Sequence, residues 1–136
     1  MELRIANHDD FLKVARAVSR KNIAYINPFM ESNDYRENRL YVVADGDKVL
    51  ACASLVWESD YEYFAIKRMC ILNKKNTGKG IARFAIRELQ KVVDGKIGAT
   101  PWWENTAMRH LLESEGFKLE YKFNGNWCYY WKENNE

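Results

Sequence analysis

Residues 73–83 read Asn-Lys-Lys-Asn-Thr-Gly-Lys-Gly-Ile-Ala-Arg, and this stretch decides how the fold is interpreted. It follows the strand-like apolar run Tyr63–Leu72, and a helical pattern of apolar residues begins within it at Ile81. The first amides of a helix have no intrahelical acceptor, and the helix dipole makes that end positive. Glycines such as Gly78 and Gly80 allow an anion to approach the backbone closely. The stretch therefore predicts a turn that binds a phosphate or a diphosphate.

Two well-known phosphate-binding motifs are excluded here, which narrows the interpretation. The pattern GxxxxGK(S/T) does not occur, so the turn is not a P-loop. The pattern GxGxxG fails because Arg83 stands at its third glycine position. The alternative to a phosphate site is a turn whose glycines only connect a strand to a helix.

Outward from this stretch, the hydrophobic patterns predict one domain over residues 1–136, because no linker or change of composition divides the chain. Strands are predicted at 2–5, 40–44, 49–57, 63–72, 96–100, 117–123 and 127–131. Helices are predicted at 7–20, from 81 to a stop at 94–95 and from 105 to a stop at 116, with a short helix or an ordered loop over 21–38. The order β-α-(α)-β-β-β-α-β-α-β-β is typical of a mixed sheet with helices packed on it.

The composition is that of a globular protein, with 47% hydrophobic and 29% charged residues, and it excludes a disordered chain. The net charge of +2 gives little support to nonspecific nucleic-acid binding. No long uncharged apolar run is present, and residues 1–5 lack the layout of a signal peptide, so we expect a cytoplasmic protein without a membrane span. The three cysteines have neither zinc-ligand nor disulfide spacing, and we expect no metal site.

The turn at residues 77–82 resembles the central motif of the GNAT superfamily of acyl-CoA-dependent N-acyltransferases. That motif reads Gln/Arg-x-x-Gly-x-Gly/Ala and lies after the fourth strand, at the start of a helix. Gly80 and Ala82 match it, and Thr77 departs from its first position. A second family feature is an asparagine that opens the next helix, followed eleven and twelve residues later by a Gly-Phe pair. Asn105 matches it, with the pair at residues 116–117.

The resemblance implies a mixed α/β fold with a central, mostly antiparallel sheet of six to seven strands and about four helices. It implies acetyl-CoA or another acyl-CoA as the cofactor, with the diphosphate on the amides of residues 78–82. The pantetheine arm would bond to the backbone at the end of the fourth strand, and Asn105 would help to hold it. The cofactor-binding residues implied in this way are Cys70, Ile71, Leu72, Thr77, Gly78, Lys79, Gly80, Ile81, Ala82, Arg83 and Asn105.

The same resemblance implies N-acetyl transfer by direct attack of an amine on the thioester, but the family's usual proton carriers are absent. The position of the common general-base glutamate is Ile66, and that of the tyrosine that protonates the thiolate is Leu112. Glu62 is the candidate catalytic residue, because the parity of the strand would place it on the side of Ile66 and Cys70. Tyr129 or Tyr130 is a candidate replacement for the missing tyrosine.

Three functions stay open at this point. The first is an acetyltransferase acting on a small-molecule or peptidyl amine. The second is a nucleic-acid-directed relative. The Lys67-Arg68 pair and a rim rich in Trp and Tyr favour it, whereas the low net charge argues against it. The third is a CoA-binding or interaction domain without turnover, which the residues Ile66 and Leu112 favour. The chain would act as a monomer or a homodimer.

Overall fold

The computed structural model describes residues 1–21, 32–123 and 126–134. These residues contain seven strands: β1 (Glu2–Ile5), β2 (Leu40–Asp45), β3 (Lys48–Glu58), β4 (Tyr63–Ile71), β5 (Lys96–Ala99), β6 (Lys118–Phe123) and β7 (Trp127–Glu133). The described α-helices are α1 (His8–Lys21), α2 (Ile81–Val92) and α3 (Thr106–Ser114), and a short 3₁₀ turn covers Lys74–Asn76.

The strands follow the order β1-β2-β3-β4-β5-β7-β6 in a single sheet. The registers of β1 with β2, β2 with β3, β5 with β7 and β6 with β7 are antiparallel, whereas β4 and β5 are parallel. The predicted mixed sheet, mostly antiparallel and of six to seven strands, is therefore confirmed. No helix in the described part of the chain is long and apolar enough to cross a membrane.

Three α-helices lie within the described residues, where the prediction is about four for the whole chain. Residues 22–31, on which most of the expected second helix falls, lie outside those residues, as do 124–125 of the predicted hairpin turn. Residues 34–38 form a single turn instead of a helix. The turn ends because Asn38 has a φ of 58°, a left-handed backbone conformation that no α-helix continues.

The chain divides into two compact units, and the first comprises Met1–Leu55 and Arg68–Ile86. On this unit's part of the sheet, Val42 packs with α1, in a cluster that includes Val14 and Val18. Its neighbour Val43 packs with Ile81 at the start of α2. Successive residues of a strand point to opposite faces, so α1 and the start of α2 cover opposite faces of β2.

The N-terminus of α1 is capped by two reciprocal hydrogen bonds. The side chain of Asn7 accepts from the amide of Asp10 at 2.8 Å, and the carboxylate of Asp10 accepts from the amide of Asn7 at 3.2 Å. Arg4 donates to both carboxylate oxygens of Asp10, which is buried. Asn7 and the acidic first turn therefore cap this helix as its sequence predicts.

The second unit comprises Val56–Lys67 and Arg87–Glu136, and its part of the sheet is closely packed around β5. Gly98 allows this packing, because an added Cβ would lie 2.7 Å from a ring carbon of Tyr63 and 2.8 Å from the carbonyl oxygen of Tyr130. The hydroxyl of Tyr130, a fully buried residue, donates to Glu113 of α3 at 2.8 Å. The interpretation of residues 1–136 as one domain stays a prediction.

The variant Asn7→Ala removes the side-chain half of the helix cap and should lower the free energy of unfolding by about 1 kcal/mol. The measurement is urea denaturation followed by circular dichroism. Ser19→Ala is the control. The exposed hydroxyl of Ser19 donates to the Arg16 carbonyl within the same helix and does not cap the helix N-terminus. Equal midpoints for the two variants would contradict the capping role.

Candidate functional site: the turn between β4 and α2

The turn after β4 has the conformation that its glycines predict. Gly78 and Gly80 have φ values of 83° and 76°, in the left-handed region that other residues rarely adopt. A Cβ built at either position would meet no protein atom within 4 Å, so the space above the turn is open. Thr77 and Lys79 are exposed in the same turn. The turn can therefore bring its backbone against a ligand.

The start of α2 directs backbone amides out of this turn. The first helical bond runs from the amide of Phe84 to the carbonyl of Gly80 at 2.9 Å. The amides of Ile81 and Ala82 precede that bond, so helix geometry gives them no acceptor within the helix. Gly80 has no side chain that could cap them, and the first turn of α2 contains no acidic residue. The exposed Lys79 adds positive charge, which favours an anion here.

The end of β4 lies directly before this turn and contains the residues predicted to bind a pantetheine arm. The amide of Leu72 already donates to the carbonyl of Leu50 at 3.0 Å, so its carbonyl is the backbone group it can offer to a ligand. Cys70 and Ile71 are partly buried, and the thiol of Cys70 lies 3.5 Å from the carbonyl oxygen of Ile71. All ten predicted cofactor residues from Cys70 to Arg83 thus lie in one continuous stretch of the first unit.

A bend interrupts β4 at Arg68, which has a φ of 51° in the middle of the strand. A left-handed conformation at a residue other than glycine costs on the order of 1–3 kcal/mol and persists only where neighbouring contacts hold it. The contact here is an ion pair, in which Nε of Arg68 donates to Oδ2 of Asp34 at 2.7 Å.

Asp34 is 1% exposed and has three side-chain partners in the first unit. Besides Arg68, the hydroxyl of Ser54 donates to its Oδ2 at 2.5 Å, and Nε of Arg39 lies 3.3 Å from its Oδ1. Burial alone raises the pKa of Asp34, but the hydrogen bonds from Arg68 and Ser54 outweigh it, and the pKa lies below its ordinary value of 3.8. In the sequence, only the unusual cation within a strand points to this cluster.

The two cations of the Lys67-Arg68 pair, which the nucleic-acid alternative cites, both have acidic partners. Arg68 pairs with Asp34, and the ammonium of Lys67 pairs with Glu58. Each positive charge therefore has a carboxylate beside it, and the nucleic-acid alternative stays a prediction.

The remaining predicted residues lie in the second unit. Asn105 caps α3, because its side chain accepts from the amide of Met108 at 3.2 Å. Glu62 is exposed in the turn before β4 with a φ of 53°. It precedes the strand, and the bend at Arg68 breaks the alternation beyond, so the parity argument that linked Glu62 to Cys70 is wrong.

The side chains at the two usual proton-carrier positions are buried. Ile66 is 7% exposed and Leu112 is fully buried in the second unit. Tyr130 bonds to Glu113 and accepts from Arg109 at 3.2 Å, and burial raises the pKa of its hydroxyl above the ordinary 10.0. Tyr130 is therefore a packing residue whose proton is hard to remove. Tyr129 packs edge-on against Tyr63, with ring centroids 5.3 Å apart.

Solved structures of acetyltransferases have the same fold as this chain over nearly its whole length. A GNAT-family acetyltransferase from Streptococcus agalactiae 2603 is 17% identical, with a TM-score of 0.80 over 99% of this chain and 96% of that one. One from Listeria monocytogenes 4b F2365 is 15% identical, with a TM-score of 0.72 over 97% and 94%. This chain has the GNAT fold.

A third structure with the GNAT fold is a chimera of the spermidine N-acetyltransferase SpeG from Vibrio cholerae and hSSAT. It is 18% identical, with a TM-score of 0.75 over 98% of this chain and 97% of that one. No family profile and no curated protein matches the sequence. In the GNAT fold of this chain, the motif residues Gly80 and Ala82 lie at the start of α2, as the sequence resemblance predicts.

The Asp34 cluster should make stability depend on pH in the acid range. A carboxyl with a lowered folded-state pKa stabilises the fold above 3.8, and this contribution is lost as the pH falls below that value. Asp34→Asn should therefore lower the free energy of unfolding at pH 7 by about 2–3 kcal/mol, with a difference from wild type that shrinks below pH 4. Urea titrations at pH 7, 5, 4 and 3 measure it.

Asp9→Asn is the matched control for this pH series. Asp9 is largely exposed and pairs with Lys13 one helical turn away, so its removal should change stability by less than about 0.5 kcal/mol. If the difference in unfolding free energy between wild type and Asp34→Asn did not change with pH, the lowered pKa of Asp34 would be contradicted.

Proposed function

We propose that this protein is an N-acetyltransferase that transfers an acetyl group from acetyl-CoA, or an acyl group from another acyl-CoA, to a primary amine. The observation that carries the proposal is the open two-glycine turn at the start of α2, in a chain with the GNAT fold. One structure that shares the fold is named a spermidine N-acetyltransferase, which supports a small-molecule amine as acceptor. A peptidyl amine, a monomeric or homodimeric state and a cytoplasmic location stay predictions.

The described residues fit the diphosphate of such a cofactor. The space above Gly78 and Gly80 is open, the amides of Ile81 and Ala82 have no acceptor in their helix, and Lys79 adds a cation. An acyl-CoA, when bound, would supply the acyl group as an activated thioester, and coenzyme A would leave as the free thiol. We assign the diphosphate to residues 77–83 and the pantetheine arm to the backbone of Cys70, Ile71 and the carbonyl of Leu72.

The chain's own contribution to the reaction would be to hold the two reactants in line and to stabilise the negative charge that develops on the carbonyl oxygen. Following the family resemblance, we assign that stabilisation to a backbone amide near Cys70 to Leu72, at the end of β4. Ile66 cannot accept the proton of the acceptor, so the proton passes to water or to another group. Glu62 as that group stays a proposal, and Asn105 as a contact of the arm stays a proposal from the family resemblance.

Binding of the cofactor can be tested by thermal shift with CoA and acetyl-CoA. A ligand at a hundredfold excess over its Kd stabilises the native state by about 2.7 kcal/mol. The melting temperature of wild type should therefore rise, whereas Gly80→Glu, which places bulk and negative charge in the turn, should show no rise while its circular dichroism is unchanged.

Gly46→Glu is the matched control for this substitution. Gly46 also has a positive φ, 61°, and open space around its Cβ position, but it lies in the turn between β2 and β3. This variant should keep the ligand-induced rise. A rise that persists in Gly80→Glu would contradict the placement of the diphosphate, and no rise in wild type would remove the proposed cofactor.

Turnover separates the enzyme from a CoA-binding domain without activity, which the buried Ile66 and Leu112 favour. Release of free thiol from acetyl-CoA should depend on an added amine from a panel of polyamines, amino acids and lysine-containing peptides. Gly46→Glu should release thiol like wild type, and Gly80→Glu should lose at least about 90% of the rate, as expected when a reactant is no longer held. A thermal shift without thiol release for any amine would support the inactive domain.

A further inference from the structure

The bend in β4 lies next to the segment assigned to the thioester. The residue that pairs with the side chain at this bend comes from a distant part of the sequence. Arg68, with its φ of 51°, lies two residues before Cys70, and its guanidinium donates to Asp34, 34 positions earlier in the sequence. A rotation of the Arg68 backbone would redirect residues 69–72 along with their amides. The contact with Asp34 thus acts on the orientation of this segment as well as on stability.

The carboxylate of Asp34 is well suited to act as a fixed anchor. It is 1% exposed, the hydroxyl of Ser54 on β3 donates to it, and Nε of Arg39 before β2 lies 3.3 Å away. Its own backbone is fixed too, since its carbonyl accepts from the amide of Arg39 at 2.7 Å. The guanidinium of Arg68 is therefore drawn to one place, which favours a backbone conformation of Arg68 from which its side chain reaches Asp34.

We propose that Asp34 is a positioning residue for acyl transfer, which through Arg68 fixes the bend of β4 and so aims the backbone of Cys70 and Ile71 at the reacting carbonyl. The inference rests on the proposed function, because that aim matters only if this segment binds an acyl thioester. Asp34 itself would touch neither reactant.

Two double variants separate this role from simple stabilisation. Asp34→Asn/Arg68→Gly and Asp34→Asn/Arg68→Ala both lack the ion pair and differ by one methyl group. Glycine adopts a φ of 51° without strain, whereas alanine resists it. The glycine variant should keep a kcat at least about tenfold above that of the alanine variant, because small misplacements of reactants reduce rates strongly. The KM for the amine should differ by less than about twofold, since acceptor binding is not the affected step.

The rates are expressed per folded protein and measured well below both melting temperatures, so that a difference in stability alone cannot produce the result. Gly46→Ala is the control for strain at a positive φ elsewhere, and its kcat should equal that of wild type. Where the double variants do not fold, Arg68→Gly against Arg68→Ala makes the same comparison with Asp34 still next to Arg39.

The outcomes distinguish a failure of the positioning role from a failure of the proposed function. Equal kcat values for the glycine and alanine variants, in a protein whose wild type releases thiol, would overturn the positioning role and leave the proposed function intact. A wild type that shows neither a thermal shift with acetyl-CoA nor thiol release would overturn the proposed function and this inference with it.

Discussion

The ion pair of Asp34 with Arg68 is the constraint on which the geometry of the first unit depends. An ionised carboxylate without access to water is unfavourable unless hydrogen bonds and opposite charges surround it. Asp34 meets this condition through hydrogen bonds from Ser54 of β3 and Arg68 of β4 and through the nearby charge of Arg39 before β2. One buried charge therefore ties three segments together, and β4 is joined to it at its bend, Arg68.

The bend and the turn that follows it use the same kind of backbone conformation for different reasons. Gly78 and Gly80 reach positive φ values without strain and leave open space above the turn. Arg68 reaches a positive φ because a partner holds its side chain. The first arrangement makes room for a ligand, and the second sets the direction of the strand that leads to it. Both lie within eighteen residues that also hold the first turn of α2.

The sequence predicts the regular elements well and the irregular ones poorly. Strands and helices follow from periodicity, and the turn at residues 77–82 follows from its glycines, because these signals are local. The bend could not be predicted, since a positive φ at Arg68 depends on Asp34, which lies far away in the sequence. The parity argument for Glu62 failed because Glu62 lies in the turn before β4 and because the bend at Arg68 breaks the alternation before Cys70.

In the proposed acyl transfer, the lack of the usual proton carriers makes the alignment of the two reactants more important. Leu112 has no proton to give, and Tyr130 is held by Glu113 and Arg109 with a raised pKa, so neither is suited to protonate a leaving thiolate. Alignment of two reactants alone can supply several kcal/mol of a barrier, and it requires a backbone that stays fixed while the reactants change. A strand bent by a buried ion pair has that property, because movement would leave the carboxylate of Asp34 without its strongest partner. An enzyme that relies on alignment thus has a physical reason to place a charge where Asp34 lies.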